Sequence, residues 1–386
     1  MMPEFLSSVI VQVFWWTVPV LIVLGVVVIV HELGHFLTAR AVGIRVKSFS
    51  VGMGPEMAGF TDKSGTRWKI SWIPLGGFVS FKGDENAASL PSAGDLEKLT
   101  PEERAGNFHT AALWRRSLVL LAGPFANFLL SLVIFTGMVL WTGIIYQTAE
   151  IICVEPGTPA AQAGLMAGDK ILAVGGQAVR SFEDFSSYVV LNARSPIDIT
   201  VERGGKSVGL RATPELTEGE CIGRLGVLGT TNAANARAER AGLFTATSEG
   251  FRRTWRIVEG PFQFMGQLFR GNACASSLGG PVKIAEVSKT FATQGFINLI
   301  PLIAFISVSV GLFNLFPIPV LDGGHLLFYG AEAILGRPLS QRAQEAGFQF
   351  GFALLLMLMV FVTWNNVAEL TSGKPQPAKT ASVCRK

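Results

Sequence analysis

The chain has 386 residues, 49% of them hydrophobic and 16% charged, with a formal net charge of +4. Soluble domains carry about a quarter charged residues, so this composition, with its positive mean hydropathy, describes a membrane protein with some soluble mass attached. The charge is too small to argue for a nucleic-acid partner. The four cysteines (Cys153, Cys221, Cys274, Cys384) show neither zinc-finger spacing nor a disulfide framework; Cys153 and Cys221 either pair, where both face an oxidising compartment, or stay reduced.

The N-terminal stretch MMPEFLSSVIVQVFWW has no Lys or Arg and carries Glu4, a poor start for a signal peptide. The apolar run that follows also contains ionisable residues, so it reads as a retained anchor. Four segments are apolar enough to span a bilayer: Phe14–Ala41, Ser117–Ile145, Phe296–Phe316 and Gly347–Trp364. Each is close to the ~20 residues that a membrane helix needs. The loop after the first segment holds two β-rich stretches with glycine breaks, Arg45–Gly54 and Arg67–Phe81. That loop and its flanks are rich in basic residues (Arg40, Arg45, Lys47, Lys63, Arg67, Lys69, Lys82, Lys98, Arg104, Arg115, Arg116), and the N-terminal tail has none. The positive-inside rule then places the loop in the cytoplasm, the N-terminus outside, the long segment between the second and third spans outside, and the loop around Asp322 inside.

The external segment has two parts. Ile151–Val227 alternates short β-like runs with turn signals and has a short helix at Glu183–Asn192. It reads as a mixed α/β module of roughly 80 residues. Ala238–Gly271 mixes Phe251, Trp255, Phe262, Phe264 and Phe269 with Arg252, Arg253, Arg256 and Arg270. It is either an amphipathic helix on the membrane surface or a helix packed on the module. Gly279–Ala285, GGPVKIA, reads as a turn before the third span.

The first span ends in HELGH. His31 and His35 are four apart, so on a helix they stand on one face. Two imidazoles at that spacing reach one tetrahedral zinc, and Glu32 beside them is placed to act as general base. Three ionisable groups in a membrane span are expensive and argue for a functional site; a histidine satisfied by a backbone carbonyl explains one such group and not three. A catalytic zinc takes a third protein ligand. His109 lies in the polar first loop and reads as a solvated residue. Phe313–His325, FNLFPIPVLDGGH, offers Asn314, Asp322 and His325 at membrane depth, with Pro317 and Pro319 breaking the helix and Gly323 and Gly324 allowing a tight approach. Asp322 is the expected third ligand and His325 the runner-up.

HELGH in a first span, GPFAN at Gly123–Asn127 in a second, and NLFPIPVLDGG at Asn314–Gly324 after a third resemble the site-2 protease family, within it the regulator-of-sigma-E type of bacterial inner membranes. The resemblance covers nearly the whole chain. It implies an intramembrane zinc metalloendopeptidase with His31, His35 and Asp322 as metal ligands, Glu32 as the base, and Asn314 contacting substrate or transition state. GTPAAQAGLMAGDKILAVGG is similar to the PDZ domains of these proteases, with room here for one such domain. The implied architecture is an α-helical polytopic membrane protein of about four transmembrane helices, with a membrane-associated β-hairpin region and an inserted α/β PDZ domain. The segments divide as 1–44 (first span with HELGH), 45–112 (β-rich loop), 113–146 (second span), 147–233 (PDZ domain), 234–295 (amphipathic helices and linker), 296–325 (third span) and 326–386 (fourth span and tail). The implied substrates are single-span membrane proteins already trimmed by another protease, such as anti-sigma factors or remnant signal peptides. The competing reading is a non-catalytic scaffold that recruits partners through the PDZ domain.

Overall fold

The computed structural model describes residues 2–83, 99–146, 149–179, 181–216, 223–229, 237–270 and 280–371. Lys98, Cys221, Cys274, Cys384 and Gly279, named above, lie outside them. The described chain is mostly helical. Four helices are long and apolar enough to cross a membrane: Val11–Ala41, Leu113–Thr142, Phe296–Asn314 and Gln341–Trp364. The chain divides into two compact units, described in turn.

The first unit comprises Met1–Phe135, Gly250–Val258 and Lys283–Val360. Helix α1 runs Met2–Ala41. It is followed by two long antiparallel strands, β1 Val46–Thr61 and β2 Arg67–Phe81. The sequence suggested a break at Gly54, but β1 continues to Thr61: Gly52 and Gly54 take positive φ, and the register shifts between Val51 and Ala58 absorb the irregularity. Each strand folds back on the other, so Val46–Val51 has Gly77–Phe81 as one partner and Arg67–Ile70 as another, while Ala58–Thr61 pairs with Arg67–Ile70 from beyond. Phe36 and Ala39 of α1, Val46, Phe49 and Phe81 of the strands, and Phe108 share one buried cluster. That cluster fixes the sheet to the end of α1. The turn is held by Asp62, which accepts from Trp68 Nε1 (3.1 Å), the amides of Ser64 and Thr66, and Arg40 Nη2 (2.7 Å). These donors, Trp68 first, pull its carboxyl down to about 2.

A short turn of helix, α2 Pro101–Arg104, closed by a capping box at Thr100, precedes the long helix α3, Leu113–Thr142. Helix α1 meets α3 at very close range. A Cβ on Gly34 would lie 2.4 Å from the Ala122 carbonyl oxygen and 2.8 Å from Ala126 Cβ, so small residues set the crossing. After α6 (Leu243–Phe269), helix α7 begins at Pro281, where the sequence suggested only a turn, and runs to Thr293; proline suits the first position of a helix because its missing N–H has no acceptor there. Helix α8, Leu299–Asn314, shares a buried cluster with α1 and α7 (Val23, Val27, Ala292, Leu302, Ile306). It stops at Asn314 because Pro317 and Pro319 cannot continue it. Helix α9 then starts at Asp322 and runs to Leu335, and α10 spans Gln341–Thr371. The link between α8 and α9 folds back so tightly that a Cβ on Gly323 would sit 2.3 Å from the Leu315 oxygen, and one on Gly324 2.2 Å from the Ile318 oxygen. Arg116 of α3 forks onto Glu332 of α9 (2.6 and 3.4 Å) and stacks over Tyr329, which ties the helix bearing Asp322 to α3.

The second unit comprises Thr136–Glu249, Glu259–Val282 and Phe361–Lys386. Its described core is a four-stranded antiparallel sheet in the order β6–β5–β7–β8 (Gln177–Ala178, Lys170–Val174, Ile197–Arg203, Lys206–Ala212). Helix α5, Phe182–Leu191, capped by Ser181, packs Phe185 and Val189 into that core. A second ladder pairs β4, Ile151–Val154, with β11, Val227–Gly229. Asp169 is buried, and Arg203 grips it with two 2.7 Å bonds while also donating to the Gly164 carbonyl. Burial works against the charge of Asp169, but Arg203 and the Met166 amide outweigh it and hold the carboxyl below its ordinary range. Cys153 is disulfide-bonded.

Candidate metal centre

Helical periodicity does the first part of the assembly. His31 and His35 lie on one face of α1, both buried. Their rings meet edge to face, with the two Nε2 atoms 3.1 Å apart. The start of α9 brings Asp322 to the same point: its Oδ2 is 3.2 Å from His31 Nε2 and 3.5 Å from His35 Nε2. Despite this proximity, Oδ2 is buried and forms no well-aligned hydrogen bond. The two imidazoles share one hydrogen bond through their Nε2 atoms, and the carboxylate oxygen that converges on the same point is left unsatisfied.

That is the geometry a cation needs. Zinc bonds of about 2.0–2.1 Å at tetrahedral angles separate two ligand atoms by about 3.3 Å, and the three observed separations bracket that value. His31, His35 and Asp322 are the only group of metal-binding side chains of this kind among the described residues. The donor set, two nitrogens and one oxygen, is one that catalytic zinc commonly takes. The residues present therefore fit zinc.

The surroundings hold the imidazoles by their other nitrogens. His35 Nδ1 donates to the Val119 carbonyl at 2.8 Å. His31 Nδ1 lies 3.2 Å from Asn127 Nδ2. Gly123, one turn before Asn127 on α3, leaves the space the rings occupy: a Cβ there would lie 2.4 Å from His35 Nε2 and 2.9 Å from His31 Cε1. Glu32 follows His31 directly, and β2 crosses over it. Val79 gives Glu32 a backbone hydrogen bond, and a Cβ on Gly77 would come 3.6 Å from Glu32 Cγ.

The remaining expected residues fall elsewhere. His325 is one turn beyond Asp322, and its ring packs edge-on against Phe348 of α10, so of the two candidates Asp322 is the one at the histidine pair. Asn314 ends α8, where its Nδ2 donates to the Val310 carbonyl at 3.0 Å. His109 is half-buried rather than solvated, with its ring against Phe108. Residue chemistry in the sequence did not single out Asn127, Gly123, Val119 or Val79. Asn127 and Gly123 had a signal in GPFAN, whereas Val119 and Val79 act through backbone atoms and had none.

Known proteins resemble this chain over most of its length. The profile of Peptidase family M50 matches residues 19–358. Atu1380 of Agrobacterium fabrum, named as a zinc metalloprotease, is 43% identical over 362 residues, covering 92% of this chain and 96% of its own. R01501 of Rhizobium meliloti, named in the same way, is 42% identical over 360 residues, covering 91% and 96%. The metalloprotease MmpA of Caulobacter vibrioides is 40% identical over 377 residues, covering 91% and 94%. The chain is thus a member of Peptidase family M50, the site-2 proteases: a multi-pass membrane metalloprotease with zinc as its cofactor.

Proposed function

We propose that the protein cleaves peptide bonds within the transmembrane segments of single-span membrane proteins, with His31, His35 and Asp322 holding zinc and Glu32 as the base. One observation carries this reading: at the end of a lipid-length helix, two imidazole nitrogens and an unsatisfied carboxylate oxygen lie 3.1–3.5 Å apart. When bound, zinc acidifies a water and polarises the scissile carbonyl. Glu32 takes the proton of the attacking water and returns it to the departing amine. Val79 holds the Glu32 carboxylate beside the histidine pair through its backbone N–H. The amide of Asn314 turns from Val310 to the substrate, where it steadies the developing negative charge.

A helical substrate must be unwound before it is cut, and its freed backbone groups need partners. Among the described strands, Gly77–Phe81 has Val46–Val51 on one side and no strand on the other. An extended substrate adds to that open edge, next to Glu32. Met53, Met57, Phe60, Trp72 and Ile73 on the same two strands are at least half exposed, which favours contact with lipid.

The second unit is read as a single PDZ domain on the periplasmic face of a bacterial inner membrane. The β4–β11 ladder beside α5 supports the PDZ reading, and the disulfide at Cys153 supports an oxidising compartment. Its work is that of a filter that admits substrates already trimmed by another protease: the Phe182 ring lies where a Cβ on Gly229 would be, 2.0 Å away, which fills space beside β11.

The test is cleavage of a tagged single-span substrate by purified wild type and by Glu32→Gln. The expected result is cutting within the span by wild type and a loss of about 10²–10⁴-fold in the variant, with zinc retained. Equal cutting by both proteins would sink the proposal.

A further inference from the structure

The GPFAN stretch has a feature that the reaction above does not use. Asn127 is fully buried in α3, yet its Oδ1 has no hydrogen-bond partner. Its Nδ2 lies 3.2 Å from His31 Nδ1. The backbone at this residue is held in place, since Ser307 of α8 donates its hydroxyl to the Asn127 carbonyl at 2.9 Å.

A histidine that offers its Nε2 lone pair to a metal carries its proton on Nδ1, and that N–H needs an acceptor. His35 has one in the Val119 carbonyl. Among the described residues, His31 has the Asn127 side chain in that role, and the atom facing it is a donor. This arrangement suits the tautomer with the His31 proton on Nε2, where His35 Nε2 accepts it at 3.1 Å. A half-turn of the same amide presents the orphaned Oδ1 to Nδ1 instead.

We infer that Asn127 is a positioning residue for His31. Its amide accepts the Nδ1 proton through Oδ1 when the metal is bound, and donates through Nδ2 when it is not. An amide serves both tautomers from one site, which neither a carboxylate nor an alkyl group does. Gly123, four residues earlier on the same face, clears the rings, so GPFAN is the half of the metal site that α3 contributes. The inference rests on the zinc reading of His31, His35 and Asp322.

Zinc affinity of the detergent-purified full chain, measured by chelator competition, tests it in wild type, Asn127→Leu and Asn127→Asp. Leucine keeps the volume and removes the acceptor, and aspartate keeps an acceptor in the same place. The expected result is about 10–100-fold weaker binding for Asn127→Leu, the range for loss of an outer partner of a metal ligand, with Asn127→Asp close to wild type. Unchanged affinity in Asn127→Leu overturns the inference, and so does an equal loss in both variants, which would mark a packing role. If wild type binds no zinc, the metal reading falls and this inference with it. Should Asn127→Leu not fold, nitrogen-15 histidine NMR of zinc-loaded wild type decides. Protonated Nδ1 on His31 supports the assignment, and metal on Nδ1 refutes it.

Discussion

Asp322 and Asp169 are both carboxylates with little exposure, one in each unit, and their surroundings differ in kind. Asp169 is saturated, with a two-pronged Arg203, the Met166 amide and a burial that these donors outweigh. Asp322 faces two imidazole nitrogens with an oxygen that bonds to neither. A buried charge that stabilises a fold is paired and hydrogen-bonded. The Asp322 oxygen is left unsatisfied beside two side chains able to bind a metal. Satisfaction, rather than burial or distance alone, separates these two carboxylates.

The comparison breaks most sharply on Asp322→Ala. Tight zinc binding and proteolysis should both be abolished, as read by metal content after dialysis, while the second unit keeps its melting temperature. Arg203→Ala is the mirror experiment. It strands the Asp169 carboxylate and should destabilise the second unit by about 3 kcal/mol, measured by denaturant unfolding or hydrogen exchange, with zinc affinity unchanged. Because the folded-state pKa of Asp169 is depressed, its stabilising effect is full above the unfolded value of about 3.9 and is lost as pH falls through the lower folded value. If Arg203→Ala weakened zinc as strongly as Asp322→Ala, the distinction would collapse.

Gly123→Ala sharpens the metal half. Its new Cβ would press on His35 Nε2, and zinc affinity should fall about 10–100-fold, comparable to other disturbances of a ligand's setting. The smallest effect is expected at Asp62, whose carboxyl is exposed enough for water to screen it. An NMR titration should find it ionised until about pH 2, and Trp68→Phe should move that midpoint upward.

The convergence of the histidine pair and the third donor was legible because each depends on local rules. HELGH needs only a helix, and Asp322 needs only the proline-broken link that places it. The four apolar helices were legible from their length. Asn127 and Gly123 were visible as a motif but not as contacts, since what they touch is set by the crossing of α1 and α3 at Gly34. The extent of β1 was missed because glycines that read as a stop serve here as bulges. Val79 could not be foreseen at all, because a backbone N–H carries no side-chain signature.

The three converging donors also have a consequence for synthesis. His35 and Asp322 are separated by roughly 290 residues, a very long loop to close. Chains emerge N-terminus first, so the histidines are in place long before the ribosome reaches the aspartate. A nascent chain therefore holds only two of the three converging donors until nearly all of it has been made.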